Sequence, residues 1–156
     1  MEYTSLDKMP YFTDCEKLVA GLGYALVELR VVPNNTQYQI RAVITHSDSA
    51  NTEGIGINDC AKVHRLLLPR FEALLKNPDV YMEVTSPGME RTIKNAAEFA
   101  LFVGQTVRLW DTNVYDWVSG VLISSTQTSV TIRLLDGNQE KELPYDQIAK
   151  AKLLHT

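Results

Sequence analysis

Three histidines are the first candidates for chemistry, because histidine is the most common metal ligand and general acid or base in proteins. His46 falls in a predicted loop, His64 on a predicted helix and His155 near the end of the sequence. No two of them have the short spacing of a local metal site, and the local sequence places no carboxylate partner beside them. The pattern predicts structural histidines, so we expect no metal, no cofactor and no catalytic histidine.

A glycine-containing loop, Gly-Ile-Gly-Ile-Asn-Asp, occupies residues 54–59 before the second predicted helix. A loop of this kind between a strand and a helix can bind a pyrophosphate at the helix N-terminus. Here the third glycine of the pattern is missing, and Asp59 would place a negative charge where the phosphate should bind. We therefore expect a loop that leads into a helix capped by Asn58 or Asp59.

Ser86 is followed by proline and glycine, which raises the question of a nucleophile. An activated serine needs a base within reach, and the G-x-S-x-G pattern of a nucleophile elbow is absent. Pro87 favours an extended Ser86, while Gly88 can adopt a turn that other residues rarely adopt. The segment predicts a rigid corner after a strand, and residues around it could join two domains or contact a partner. These candidates are Glu83, Ser86, Pro87, Gly88, Glu90 and Arg91.

Aromatic residues lie close together at Trp110, Tyr115 and Trp117, in or near a predicted β-hairpin. Most aromatic side chains of a small β domain belong to its core, but an exposed one can stack on a nucleobase or a peptide. The acidic balance of the chain favours the peptide.

That balance is a formal net charge of -4 over 156 residues. A division after Thr92 gives 9 Lys/Arg against 12 Asp/Glu in the first part and 6 against 7 in the second, hence -3 and -1. Nucleic-acid binding draws much of its affinity from phosphate neutralisation. We therefore expect no tight binding to free RNA, and contact with rRNA only through a protein partner.

The two cysteines, Cys15 and Cys60, lie in apolar-periodic helical stretches and suit small buried side chains. A secreted disulfide scaffold usually carries more cysteines. The N-terminus lacks the order of a signal peptide, and the longest apolar run, residues 18–27, is shorter than the roughly 20 residues that span a bilayer. We expect a cytoplasmic protein without a membrane segment.

Hydrophobic periodicity predicts an α-β-β-α-β domain over residues 1–88, with two helices on one face of a three-stranded sheet. The first helix is expected over residues 6–20, starting near Met9 because of Pro10. In the strand of residues 24–32, Val27, Leu29 and Val31 are expected on one face. A second helix begins after a loop at residues 46–56, should kink or break at Pro69, and ends at residues 77–79. The two other strands are expected at residues 38–44 and 81–85.

Residues 89–156 predict a second domain in which the period changes to two. A short helix is expected over residues 96–102, and Asp136-Gly137 is typical of a tight hairpin. Five strands are expected at residues 107–110, 117–123, 129–134, 141–143 and 149–154. Short strands in this density predict a small SH3-like or Sm-like β-barrel. The predicted fold class is α+β.

Four segments resemble, in order, the bacterial ribosome maturation factor RimP family. They are residues 54–63, 81–91, 99–104 and 148–153. The second is the most specific, because the family typically has an aromatic residue followed by Leu-Glu-Val-Ser-Ser-Pro-Gly-Leu-Asp-Arg. This chain has Tyr-Met-Glu-Val-Thr-Ser-Pro-Gly-Met-Glu-Arg, which keeps the corner and Arg91. Where family members tend to have a serine and a Pro-Leu pair, the chain has His64 and Thr92-Ile93.

The resemblance implies a cytoplasmic factor that helps the 30S subunit mature, with an N-terminal α/β domain and a C-terminal SH3-like barrel. It implies binding to the pre-30S particle and to small-subunit ribosomal protein twelve at the decoding centre, without catalysis. An acidic factor suits a basic ribosomal protein. We expect a monomer.

Two other hypotheses stay open on the residues alone. A free-standing Sm-like RNA-binding chaperone would bind RNA with submicromolar affinity that falls steeply with salt. A hydrolase that uses Ser86 would lose its activity on substitution of Ser86 by alanine.

Overall fold

The computed structural model describes residues 1–48, 54–77, 79–88 and 90–154, and it divides the chain into two compact units. One unit is Leu6–Pro87, and the other combines Met1–Ser5 with Gly88–Thr156. The sequence predicted domains at residues 1–88 and 89–156, so the difference lies mainly in the first five residues. Part of the predicted loop at residues 46–56, together with Pro78, Met89 and His155, lies outside the described residues.

The Leu6–Pro87 unit has the predicted α-β-β-α-β order. A 3-10 helix at Leu6–Lys8 precedes α1 (Phe12–Ala20), β1 (Tyr24–Asn34), β2 (Gln37–His46), α2 (Ile57–Leu75) and β3 (Val80–Thr85). The first two strands form the predicted antiparallel hairpin, and β3 lies parallel to β2. The strand order is β1-β2-β3.

The first helix starts later than predicted. Pro10 stands between the 3-10 helix and α1, and Tyr11 has a φ of 64°. A left-handed residue interrupts right-handed helical geometry, and proline supplies no N–H for a helical hydrogen bond. Helical bonding can therefore begin only at Phe12.

Both helices pack on one face of the sheet. The buried cluster between them consists of Phe12, Cys15, Val19, Tyr24, Leu26, Leu29, Ile40, Ala42, Ile44, Val63, Leu67, Phe71 and Met82. The predicted alternation of β1 is wrong at one point, because a register shift lies between Leu26 and Glu28. The extra residue of this bulge puts Leu26 on the same face as Leu29, where strict alternation would put Val27.

Pro69 does not break α2, which runs unbroken from Ile57 to Leu75. An interior proline costs about 3 kcal/mol in a helix. Leu67 and Phe71, on either side of it, are fully buried in the core, and burial of each such side chain contributes about 1.5–3 kcal/mol. The packing therefore outweighs the local penalty of the proline. Local sequence patterns do not reveal this tertiary packing.

The N-cap of α2 is Gly56, two or three residues before the predicted cap. Asp59 lies in the first turn, and its carboxylate accepts a hydrogen bond from the Gly56 N–H at 2.7 Å and another from the Tyr24 hydroxyl. These two bonds hold the pKa of Asp59 below its ordinary value, and the bond from Tyr24 contributes more than the bond from Gly56. The same bond to Asp59 raises the pKa of Tyr24 to about 12. Asp59 thus ties the start of α2 to β1.

The C-terminal unit contains one sheet of six strands, all antiparallel to their neighbours. The strands are β4 (Glu90–Thr92), β5 (Thr106–Asp111), β6 (Asp116–Ser125), β7 (Ser129–Leu134), β8 (Glu140–Pro144) and β9 (Ile148–Leu154). The 3-10 helices Ala96–Phe102 and Tyr145–Gln147 lie before β5 and β9. The five predicted strands are all present, and β4 is an addition.

The predicted closed barrel is not formed. The strand order is β4-β9-β5-β6-β7-β8, so the described pairings leave β4 and β8 as edges. Pro144 ends β8 and has no N–H to donate to a further strand, which suits an edge position. The SH3-like or Sm-like assignment stays a prediction.

The N-terminal residues join the C-terminal unit through Asn95. Its side-chain oxygen accepts hydrogen bonds from the Thr4 N–H at 2.9 Å and from the Ala97 N–H at 3.1 Å, while its nitrogen donates to the Thr4 carbonyl at 2.7 Å. Tyr3 also stacks on Tyr145, with ring centroids 6.3 Å apart. One asparagine therefore caps the Ala96–Phe102 helix and binds the N-terminal segment, which no local periodicity reveals.

Substitution of Asn95 tests this double role. We expect Asn95→Ala to lower the free energy of unfolding of the C-terminal unit by about 1–2 kcal/mol, because it removes a cap and two further hydrogen bonds. Asn95→Asp keeps the cap oxygen but lacks the donor to Thr4, so its free energy of unfolding should lie between those of Asn95→Ala and the parent chain. Urea unfolding followed by tryptophan fluorescence reports on this unit, which holds both tryptophans. Equal stability of Asn95→Ala and the parent chain would contradict the role.

Asp59 should make the stability of the Leu6–Pro87 unit depend on pH. Its pKa is lowered in the folded state, so its charge stabilises the fold above the unfolded pKa of about 3.9 and ceases to do so as the pH falls through the folded value. We expect Asp59→Asn to be less stable than the parent at neutral pH, and the difference to shrink in acid. Urea unfolding followed by far-UV circular dichroism at several pH values measures it. Glu16→Gln, an exposed change on α1, is the control, and a pH-independent difference for Asp59→Asn would refute the linkage.

Candidate partner-binding site

The predicted corner follows the end of β3. The strand stops at Thr85, and the boundary between the two compact units falls between Pro87 and Gly88. Gly88 has a φ of 84°, and a Cβ added there would meet nothing within 4 Å. Glycine is therefore needed for its backbone conformation and not for space. The positive φ agrees with the prediction that Gly88 adopts a conformation rare for other residues, and the extended Ser86 stays a prediction.

Glu83 lies on the face of the first sheet opposite the helices. It stands in register with Arg41, which in turn stands beside Arg30. All three are exposed, and Tyr81 on the same face is 57% exposed. These side chains border a shallow concavity of about 320 Å³ together with Val32. The face carries mixed charge around an aromatic ring.

Arg91 forms an internal ion pair. Its Nε lies 2.7 Å from Oε1 of Glu98, and the two side chains are only 14% and 8% exposed. The arginine comes from β4 and the glutamate from the Ala96–Phe102 helix. This pair fastens β4 to the helix within the C-terminal unit, a structural role that the sequence did not predict for Arg91.

Glu90 points to the other side of β4 and pairs with Lys152 of β9 at 2.8 Å. The hydrogen bond and the charge of Lys152 lower the pKa of Glu90, with a smaller contribution from Arg108. This pair is exposed, so solvent screens it. The structure thus gives Glu90 and Arg91 different partners on opposite faces of one short strand.

The predicted aromatic group divides in two. Tyr115 lies between β5 and β6 and is 80% exposed. Trp110 and Trp117 stand opposite each other on β5 and β6, edge to face, with ring centroids 5.6 Å apart. Sequence reasoning missed Lys150 and Lys152 as cationic neighbours, because they come from β9, about forty residues away from Trp110. The alternation of Lys150 and Lys152 was the available signal, but it does not reveal which strand β9 pairs with.

The two described histidines, His46 and His64, contact residues of the first sheet. Nε2 of His64 lies 3.1 Å from the Met82 carbonyl, and the His46 ring lies 5.6 Å from the Tyr24 ring. Among the described residues, no group of three His, Cys, Asp or Glu side chains is arranged to hold a metal ion. In the same part of the chain no helix is long and apolar enough to cross a membrane. The prediction that the protein is not an enzyme stays a prediction.

Removal of Arg91 should be costly because it takes away the guanidinium that pairs with the buried Glu98. Breaking a buried pair in this way costs about 3–5 kcal/mol, so we expect Arg91→Ala to lower the free energy of unfolding of the C-terminal unit by that order. Lys152→Ala breaks the exposed pair on the same strand and serves as the matched control, with a small effect expected. Urea unfolding followed by tryptophan fluorescence measures both. Similar losses in the two variants would show that burial of the Arg91 pair is unimportant.

A comparison with known protein families matches a stretch that contains most of the family-specific segment, residues 81–91. Residues 14–90 match the family model of the RimP N-terminal domain. The matched stretch runs from α1 through β3 and the Ser86–Gly88 corner to the first residue of β4. It therefore includes Glu83, Ser86, Pro87, Gly88 and Glu90, and confirms the family resemblance. The chain belongs to the RimP family of ribosome maturation factors.

Proposed function

We propose that this protein assists maturation of the 30S subunit by binding the pre-30S particle and small-subunit ribosomal protein twelve. Family membership supports a role in ribosome maturation, and the finer assignment to this subunit and this protein follows the resemblance of the sequence. The proposal places the factor in the cytoplasm, acting as a monomer and without catalysing a reaction.

The observation that carries the proposal is an acidic edge on the C-terminal sheet, which we define as Asp136, Glu140, Glu142 and Asp146. All four residues are exposed. They lie on β8 or in the segments that flank it. The one basic side chain within this stretch, Lys141, is paired with the buried Asp111 at 3.1 Å. The edge therefore presents net negative charge to a partner.

The geometry of β8 suits an extended basic segment. Within the described residues β8 is the last strand in the sheet order, and its ladder with β7 lies on one of its sides. An exposed strand edge offers backbone groups to an extended peptide, and side-chain charge then selects the partner. Complementary charge also speeds the encounter and disfavours acidic competitors. A basic ribosomal protein meets both requirements.

The six residues predicted from sequence contribute unequally. Glu90 and Arg91 are engaged in ion pairs within the C-terminal unit. Glu83 is exposed on the first sheet, next to Tyr81. We therefore propose Glu83 as a secondary contact, and assign Ser86, Pro87 and Gly88 to the backbone corner.

Charge reversal at the acidic edge tests the proposal. We expect Glu142→Lys/Asp146→Lys to bind ribosomal protein twelve about tenfold more weakly or worse, because like charges then face each other. Asp7→Lys/Glu16→Lys makes the same change in net charge at exposed positions of the other unit and is the matched control. Binding is measured by calorimetric titration, and association with 30S precursors by co-sedimentation in sucrose gradients.

Two results would contradict the proposal. If the parent chain neither binds ribosomal protein twelve nor sediments with 30S precursors, the proposed function is wrong. If both double variants lose the same affinity, general charge and not the acidic edge governs binding. Submicromolar binding to free RNA that falls steeply with salt would instead favour the free-standing RNA-binding chaperone.

A further inference from the structure

The outer face of the C-terminal sheet carries positive charge although the chain as a whole is acidic. The strand register places Arg108 opposite Lys152, and Trp110 opposite both Lys150 and Trp117. Strand alternation turns the next residues, Leu109 and Ala151, into the core, where both are fully buried. We define the tryptophan patch as Arg108, Trp110, Trp117, Lys150 and Lys152.

The two indole rings of the patch form a half-buried aromatic platform. They meet at an interplanar angle of 81°, and the Arg108 guanidinium lies 4.4 Å from the centroid of Trp117. Such a cation–π contact holds the ring in place. Trp110 and Trp117, with Ala149 and Lys150, line a concavity of about 210 Å³. A planar group can enter it and meet indole surface on one side and an ammonium group beside it.

Charge around the platform selects an anionic ligand. Lys150 is exposed, and Lys152 forms an ion pair with Glu90. Three cations and the Glu90 carboxylate sum to two positive charges, and the exposed Asp116 carboxylate beside Trp117 reduces the net charge to one positive charge. Asp116 is the first residue of β6, and its carboxylate accepts a hydrogen bond from the backbone N–H of Trp117 at 2.7 Å. A basic peptide would be repelled by the lysines and Arg108.

Shape distinguishes between the two kinds of anionic polymer. An acidic peptide can neutralise the lysines, but its carboxylates make no use of two indole rings. A single-stranded nucleic acid supplies both a flat base for stacking and phosphates at the spacing of the backbone. A duplex keeps its bases stacked inside and cannot offer a free face to the rings.

We propose that the tryptophan patch binds single-stranded RNA, with a base on the Trp110–Trp117 platform and flanking phosphates on Lys150 and Arg108. The inference rests on the proposed function, because a factor on the pre-30S particle works beside unpaired rRNA. It replaces the expectation of purely indirect contact with rRNA. It also reverses the sequence-based preference for a peptide, which relied on the net charge and not on the charge near the rings.

The expected affinity for RNA is low because the patch has few cations to neutralise phosphates. Neutralisation of about two phosphates gives a salt slope of about -1.4 in log–log form for a single strand, and non-specific affinities of this kind lie around 10⁻⁵ M. This is far from the submicromolar affinity of a free-standing chaperone. The patch orients RNA that another contact has already brought close.

Tryptophan fluorescence reads the site directly, because the chain contains two tryptophans and both lie in the patch. We expect single-stranded decaadenylate RNA to quench the emission of the full chain at low salt. Decaglutamate, which offers charge without bases, and an RNA duplex should quench at least about tenfold more weakly at equal concentration. Stronger quenching by decaglutamate than by the RNA would overturn the proposal in favour of an acidic peptide.

Matched variants test the charge and the ring separately. Lys150→Glu should weaken RNA binding about tenfold, whereas Lys17→Glu, the same charge change at an exposed position of α1, should have a much smaller effect. Trp117→Ala should lose about tenfold and Trp117→Phe much less, with Trp110 as the remaining reporter. Far-UV circular dichroism verifies that each variant is folded. Unchanged affinity in Lys150→Glu or in folded Trp117→Ala would overturn the proposal.

Failure of this inference can be told apart from failure of the proposed function. A chain that sediments with 30S precursors but shows no quenching by decaadenylate refutes the RNA site alone. A chain that binds decaadenylate through the patch but neither 30S precursors nor ribosomal protein twelve supports the site and refutes the proposed function.

Discussion

The C-terminal unit depends on one strand, β9, which is hydrogen-bonded along both of its sides. β4 pairs with it from Glu90 to Thr92, and β5 pairs with it from Thr106 to Asp111. Its inward side chains, including Ala151 and Leu153, are fully buried, while Lys150 and Lys152 face outward. A slip of one residue would exchange these two faces. The apolar core therefore determines the register, and the register determines which charges stand beside the tryptophans.

The short strand β4 shows how this register divides adjacent residues between two tasks. Arg91 turns inward and pairs with Glu98, where little water screens the charges. Glu90 turns outward and pairs with Lys152 next to Arg108. The arginine that closes the family-specific segment is therefore an anchor within the unit. This structural role of Arg91 does not depend on contact with a partner.

The parts of the fold that the sequence predicted are those whose signal is local. Apolar residues at helical spacing in α2, such as Val63, Leu67 and Phe71, and alternation in the β1–β2 hairpin are both visible in short windows. The misses come from interactions over long sequence distances. Pro69 is tolerated because of tertiary packing, and the three residues of β4 are too few to show a period. The docking of Met1–Ser5 includes hydrogen bonds to Asn95, about ninety residues away.

The candidate site was less predictable than the fold for a related reason. Net charge is a sum over the chain, whereas a ligand meets the charges within about a Debye length, near 8–10 Å at physiological salt. The -4 of this chain includes the exposed carboxylates around β8 and also the cations on β9 and β5. Two strands, β6 and β7, separate these groups in the sheet order. An average over all of them describes neither surface.

The same separation explains how weak contacts can suffice on a ribosomal precursor. Ribosomal protein and rRNA lie side by side there, and in our proposals one sheet carries a surface for each. When two sites belong to one rigid unit, binding at the first raises the effective concentration at the second, so the combined affinity exceeds either alone by orders of magnitude. Neither surface then needs to bind its ligand tightly in isolation. A factor built in this way associates where both ligands are present together and leaves once either contact is lost, which is the behaviour that a maturation factor requires.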